Sequence, residues 1–289
     1  MSQNRAIPPL KAAATRVRSA AWLARTRGVP SEQGVRILLY HRVADDGDPL
    51  AVRPARFREQ MDFLAAAGYH AVDVLAALAL LDGGDVPSRT IGLSFDDAFA
   101  DVGGEALPVL EAHGFRATVF VTTGVTDGRH AFGWYERQPP VLSWDEVVTL
   151  DRAGTLRFEA HTVTHPSLLA VDEGTARAEI RDCRSELEAR LGRDVSAFAY
   201  PAGLYGERER RLVAEAGYAA AVSCEPGVNV PSTDRLALRR RQIDARDRLL
   251  DFRAKVGGGH DTPLPLRGLY RRRRYGMGSG LPARASSRA

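Results

Sequence analysis

The chain has 289 residues, 26% of them charged and 44% hydrophobic, with a formal net charge of +4 and two cysteines. That length suits one large α/β core. Two cysteines make no disulfide framework, and no apolar run reaches the roughly 18 residues that cross a bilayer. The positive charge belongs to the ends: residues 1–30 and 262–289 carry arginines and one lysine but no acid. All 36 acidic residues fall in 31–261 against 27 basic ones, so the body is net acidic and a nucleic-acid-binding face on it is not expected.

In chain order, residues 1–30 form a basic segment in which Leu10, Ala14, Val17, Ala21 and Ala24 share one helical face beside Trp22. This suits a helix lying on a membrane surface, but the alanine-rich face is weakly apolar and a solvated end is the favoured reading. The segment lacks the apolar core and cleavage site of a signal peptide, so a cytoplasmic protein is expected. From residue 35, strand and helix patterns alternate. Val35–Tyr40 reads as a buried strand. Residues 54–67 carry Phe57, Met61 and Leu64 at helical spacing and stop at Gly68. Asp73 caps a helix ending at Gly83-Gly84, and Thr90–Phe95 is the next strand. A helix over 105–113, a strand Ala117–Thr122 and a long loop 124–142 with Trp134 and Tyr135 follow. Ser143 and Glu146 form a capping box for a helix over 144–152. Then come strand Leu156–Ala160, helix 172–191, strand Ser196–Tyr200, helix 207–216, strands Ala219–Cys224 and Leu236–Ile243, and a helix over 246–256. The arginine-rich 262–289 is expected to be a disordered tail.

Repeated strand–helix units imply a parallel sheet covered by helices, and about seven strands favour a distorted (β/α) barrel over an open sheet. No Gly-x-Gly-x-x-Gly follows the first strand, which argues against dinucleotide binding. Chemistry in such barrels sits at the carboxyl ends of the strands. Two stretches occupy those positions: Ser94-Phe95-Asp96-Asp97 and His161-Thr162-Val163-Thr164-His165.

Adjacent carboxylates on an extended chain point to opposite sides, but at a strand end the chain turns and both can reach one site. If one binds a cation, the other stays free as a base; an isolated Asp-Asp also reads as a helix cap. Pro166 disfavours helical geometry at His165, so the two histidines belong to a strand end and the turn after it. Neutral imidazoles there suit zinc or a similar divalent ion. Three ligands with an open coordination position, plus a spare carboxylate, are the parts of metal-assisted hydrolysis.

These residues resemble the polysaccharide deacetylases with the NodB-homology domain. The family's Thr-Phe-Asp-Asp-Gly is similar to Ser94–Ala98, and its His-Ser/Thr-x-x-His is met by His161–His165. Its Tyr-His, Leu-Ser-Trp-Asp and Phe-Ala-Tyr-Pro-x-Gly segments are matched by Tyr40-His41, Leu142–Asp145 and Phe198–Gly203. The resemblance covers about 35–257 and implies a catalytic domain within 31–261. By position it makes Asp97, His161 and His165 metal ligands, with Zn²⁺ expected and Co²⁺ or Mn²⁺ as alternatives, and Asp96 the general base. It makes the Ala202 backbone N–H the oxyanion donor, with Tyr200, Pro201, Gly203 and His41 on the substrate side.

Three departures stand out. Ala98 replaces the motif glycine and is strained if its φ is positive. Ala199 stands where other branches carry an arginine that orients the base, and Arg240 is the candidate replacement. The family's late histidine, the general acid, has no close match; His260 is the one histidine after His165. The expected activity is removal of N-acetyl groups from a sugar in a glycan. The rivals are hydrolysis of a small non-sugar amide and a catalytically silent glycan-binding protein.

Overall fold

The computed structural model describes residues 9–26 and 34–261. Helix α1 (Pro9–Thr26) precedes strand β1 (Arg36–Tyr40), the two-residue strands β2 (Arg42–Val43) and β3 (Ala51–Val52), and α2 (Pro54–Ala66). Then come β4 (His70–Val72), α3 (Val74–Gly83), β5 (Thr90–Asp96), α4 (Leu107–Ala112), β6 (Ala117–Val121), α5 (Thr123–Thr126) and α6 (Trp144–Ala153). The remainder is β7 (Leu156–Ala160), α7 (Glu173–Leu191), β8 (Ala197–Ala199), α8 (Glu207–Glu215), β9 (Ala220–Val222), β10 (Arg240–Gln242) and α9 (Leu249–Gly257).

Seven parallel strands follow the order β10-β1-β5-β6-β7-β8-β9. On one edge of β5, β4 takes the amino half and β6 the carboxyl half. Leu238, just before β10, bridges Val222 of β9 in parallel and nearly closes the circle. This is the distorted barrel that the alternating pattern predicts. Every residue of β1, β5 and β6 is buried, as expected for parallel strands with helices outside and side chains filling the inside. Asp73 caps α3 by accepting from the Ala76 N–H, and Ser143 with Glu146 forms the capping box of α6. Each cap is worth about 1 kcal/mol and fixes where its helix leaves the barrel.

Several elements differ from the sequence pattern, among them the two-residue strands β2 and β3 and the short helix α5 at the start of the expected loop. The helix expected over 105–113 starts earlier, as a π-turn over Val102–Ala106 that runs into α4. Gly103-Gly104 masks that start in sequence. The strand expected over Leu236–Ile243 is only β10, because Asp234 accepts from the Leu236 N–H and folds Arg235–Ala237 into a 3₁₀ turn. The short strand β4 has no apolar alternation that would reveal it.

Helix α1 packs on α9 through buried Ser19 and Trp22, the Trp22 ring lying so close to Gly257 that a β-carbon there would sit 2.1 Å from it. The alanine-rich stripe with Val17, which is 70% exposed, faces solvent instead. No helix among the described residues is long and apolar enough to cross a membrane. The tail expected over 262–289 lies outside the described residues.

Candidate active site

Strand β5 delivers Asp96 as its last residue, and the chain then turns at Asp97 (φ 74°) and Ala98 (φ 51°). Two left-handed residues in succession break the strand alternation, so both carboxylates enter one site instead of opposite faces of the sheet. Aspartate tolerates this conformation. Alanine pays about 1 kcal/mol for it, which is the strain that replacing the motif glycine implies.

His161 follows β7, with its N–H on the Val121 carbonyl of the neighbouring strand at 2.9 Å. Its Nδ1 lies 2.7 Å from the Ala199 carbonyl. Nδ1 therefore carries the proton, and the Nε2 lone pair is free to face the site. The chain then makes a tight turn to His165. Thr162 (φ 68°) and His165 (φ 60°) are both left-handed, and a β-branched residue in that region is a true outlier, each costing about 1–3 kcal/mol. The Thr162 hydroxyl accepts from the His165 N–H at 3.0 Å and closes the turn. Phe132 and Trp134, from the long loop before α6, meet the His165 ring edge-on at 5.7 and 4.8 Å. The sequence places Trp134 and Tyr135 on a bordering loop; Phe132 is an addition.

One ligand atom from each of Asp97, His161 and His165 lies within 4.8 Å of the others. Asp97 Oδ1 stands 3.7 Å from His161 Nε2 and 3.8 Å from His165 Nε2. An ion about 2 Å from each ligand puts tetrahedral ligand atoms roughly 3.3 Å apart, so only a few tenths of an ångström separate this arrangement from coordination. The electrostatics agree. Burial holds both imidazoles below the usual histidine range, and burial with the adjacent Asp96 pushes the Asp97 carboxyl well up. Asp97 Oδ1 is buried with no hydrogen-bond partner among the described residues. Neutral imidazoles beside an unpartnered buried carboxylate oxygen lack only a cation, and this donor set fits a divalent one.

Asp96 is different. Burial alone would raise its pKa, but the Arg240 guanidinium brings it down to about 2. Arg240, the candidate orienting arginine, is fully buried. It grips Asp96 in a fork, Nη1 to Oδ1 at 2.6 Å and Nη2 to Oδ2 at 2.8 Å. Its Nε donates to the Ser223 carbonyl at 2.9 Å, and its plane lies over the Phe120 ring. Of two adjacent carboxylates, one is thus held ionised and oriented by protein while the other awaits a cation. His161 Nε2 lies 3.9 Å from Asp96 Oδ2, so both carboxylates face the same imidazole.

His41 follows β1 and is pushed down to about 4, first by burial, with the opposing charges of Asp96 and Arg240 also acting on it. Its Nδ1 is buried without a partner among the described residues. The segment after β8 is tied to the site through the Ala199–His161 bond. Within it, Ala202 is left-handed (φ 54°). Gly203 (φ 68°) is needed for space, since a β-carbon would lie 2.3 Å from the Cys224 nitrogen.

Two expectations are corrected. His260 lies at the opposite end of the barrel, where Arg18 reaches its Nδ1 at 2.6 Å and Ser19 its Nε2 at 2.8 Å. The following Asp261 pairs with Arg36, the first residue of β1, so His260 has no route to the reacting atoms. Tyr200 presents no surface to a substrate: its ring is fully buried and stacks on Tyr205 at 4.7 Å, and its hydroxyl donates to the Leu236 carbonyl at 3.0 Å. Pro201 and Gly203 are also buried, leaving the backbone of this turn as what can face the site.

A buried two-histidine, one-carboxylate cluster beside a second, ionised aspartate, at the carboxyl ends of parallel barrel strands, defines a metal-dependent hydrolase. Comparison with known proteins shows what the chain is similar to. Residues 83–221 match the polysaccharide deacetylase family model. The chain is 25% identical over 208 residues to YxkH of Bacillus subtilis (strain 168), covering 72% of this chain and 70% of that protein. It is 22% identical over 192 residues to the poly-beta-1,6-N-acetyl-D-glucosamine N-deacetylase of Staphylococcus aureus (strain MSSA476), covering 64% of each. Among solved structures, the Streptococcus pyogenes deacetylase PplD in complex with acetate superposes with a TM-score of 0.67 at 25% identity, over 78% of this chain and 99% of PplD. The chain is thus similar to polysaccharide deacetylases in sequence over residues 83–221 and in fold over most of its length.

Proposed function

We propose that the protein removes N-acetyl groups from an amino sugar within a glycan, with Asp97, His161 and His165 holding a zinc ion. The observation that carries this is the convergence of those three side chains on an unpartnered carboxylate oxygen beside an Asp96 kept ionised by Arg240. When bound, a divalent ion lowers the pKa of water from 15.7 to about 7 and polarises an acetyl carbonyl. Asp96 takes a proton from the attacking water as its oxygen bonds to the amide carbon. Arg240 fixes the carboxylate in one orientation during that transfer and keeps it anionic beforehand. The Ala202 N–H is the candidate donor to the developing oxyanion. The proton that Asp96 takes from the water passes to the departing nitrogen as the C–N bond breaks, since His260 is too remote to supply one and His41, buried at the end of β1, is held neutral. Acetate and a free amine are the products.

The sugar substrate is supported by the relatives: the Staphylococcus aureus protein is named for an N-acetyl-D-glucosamine polymer, and PplD holds acetate, the product of such a reaction. Half-buried Trp134 against His165, with Tyr135 packed beside Trp134, adds flat aromatic surface of the kind a sugar ring can pack on. The test is acetate release from N-acetylglucosamine oligomers by zinc-loaded protein. Wild type is expected to release acetate, and Asp96→Asn to lose 10²–10⁴-fold in turnover while keeping its metal. One equivalent of bound metal with no acetate from any N-acetylated glycan would contradict the sugar assignment.

A further inference from the structure

We propose that Glu179 on α7 is a positioning residue for the metal ligands: its carboxylate sets the turn between His161 and His165 and so governs how tightly the pair holds a divalent ion. This rests on the reading of Asp97, His161 and His165 as ligands. The turn is gripped from two sides. On one, the N–H groups of Thr123 and Gly124, at the start of α5, donate to the carbonyls of Thr162 and Val163 at 3.2 and 2.8 Å. On the other, Glu179 Oε2 accepts from the N–H groups of Val163 and Thr164 at 2.8 and 2.9 Å. Glu179 Oε1 takes the Thr164 hydroxyl at 2.6 Å.

The two grips are unequal. The α5 bonds are ordinary amide-to-carbonyl bonds, whereas the three to Glu179 have an ionisable carboxylate as acceptor and are the stronger kind when it is charged. Glu179 forms no ion pair among the described residues, and these bonds to the turn are the polar contacts its carboxylate makes there. It projects from the buried face of α7, level with Ala176, Ile180 and Cys183, where a carboxylate has no packing purpose. Thr162 and His165 hold left-handed conformations that unaided residues of these types leave, and such conformations persist where the surroundings over-determine them. Glu179 is that surrounding. Without it, the Val163 and Thr164 N–H groups lose their acceptor, the turn relaxes, and the His165 ring leaves its place opposite Asp97.

The test compares the full chain as wild type, Glu179→Gln, His161→Ala and Ser19→Ala, each stripped of metal and titrated with Zn²⁺ against a chromophoric chelator and with Co²⁺ by visible absorption. Ser19→Ala supplies a loss of stability far from the site. Wild type is expected to bind one equivalent and His161→Ala none. Glu179→Gln is expected to bind 10–100-fold more weakly with a shifted Co²⁺ band, while Ser19→Ala keeps the wild-type affinity and band. Wild-type affinity and spectrum in Glu179→Gln, with binding still abolished in His161→Ala, would overturn the role of Glu179 and leave the ligand set standing. Equal weakening in Ser19→Ala would also overturn it, because general softening would then be the cause. No uptake by wild type would overturn the ligand assignment itself and the inference with it.

Discussion

Two buried histidine clusters sit at opposite ends of this barrel and, as residue inventories, look alike. At the amino end, His260 meets Ser19, which is 2.7 Å from Asp251 Oδ1, and Arg18 stands on the other ring nitrogen. Serine, histidine and aspartate in contact would pass for a hydrolytic constellation. At the carboxyl end, His161 and His165 meet Asp97 and Asp96. What separates the two is the state of the polar atoms. Arg18 donates to His260 Nδ1, Nε2–H donates to the Ser19 hydroxyl, and that hydroxyl donates to Asp251 or the Thr15 carbonyl. Every bonding position is spent. At the carboxyl end, Asp97 Oδ1 and His41 Nδ1 are buried and unmet among the described residues. Buried polar atoms are nearly always paired, and an unmet carboxylate oxygen facing two neutral imidazoles is an exception that a cation would satisfy.

The comparison is broken most severely by removing a ligand. His161→Ala is expected to abolish metal binding and at least about 10³-fold of the hydrolytic rate, since the nucleophile is no longer generated at neutral pH; metal analysis and acetate assay check it. The acid response sharpens the contrast next. Burial, with the charges of Arg18, Arg241 and Lys255, pushes His260 down to about 3. Below pH 6.5 the unfolded chain therefore takes up a proton that the folded cluster refuses. Stability is full above 6.5 and falls toward pH 3 by up to about 1.4 kcal/mol per pH unit from this one group. Urea midpoints between pH 7.5 and 4.5 should show a slope that is shallower by one proton in His260→Gln.

A smaller effect is expected from Ser19→Ala, which leaves His260 Nε2–H and Asp251 Oδ1 each short of a partner. A loss of about 1–3 kcal/mol in the urea midpoint, with unchanged kcat/KM, is the expected outcome. Reduced turnover in that variant would show that the amino-end cluster is more than structural. The smallest change is Ala98→Gly. Relief of left-handed strain is offset by the lost methyl and the greater freedom of the unfolded chain, so stability should move by less than about 1 kcal/mol. A large gain would mean the Asp97–Ala98 turn is more strained than its dihedral angles imply.

The part of the site that sequence makes legible is the part written contiguously. Asp96-Asp97 and His161–His165 each follow a strand whose apolar run is readable, and the alternation of strands and helices implies the barrel. What sequence hides is supplied by distant segments. Arg240 is 144 positions from Asp96 and reaches it only because β10 pairs with β1, and β1 with β5. Glu179 passes for one more charge in a charged helix unless its place on the apolar stripe of Ala176, Ile180 and Cys183 is noticed. His260 misleads in the other direction. Its late position suits a catalytic acid, but after α9 the chain turns through Gly257–Gly259 against Trp22 and brings Asp261 beside the first residue of β1.

The most direct test of the account is anomalous diffraction at the zinc edge from crystals of the zinc-loaded protein. It predicts one strong peak about 2.0–2.2 Å from Asp97 Oδ1, His161 Nε2 and His165 Nε2, with Asp96 still in the Arg240 fork and outside bonding distance. A peak on other side chains, or Asp96 drawn in as a ligand in place of Asp97, would contradict it.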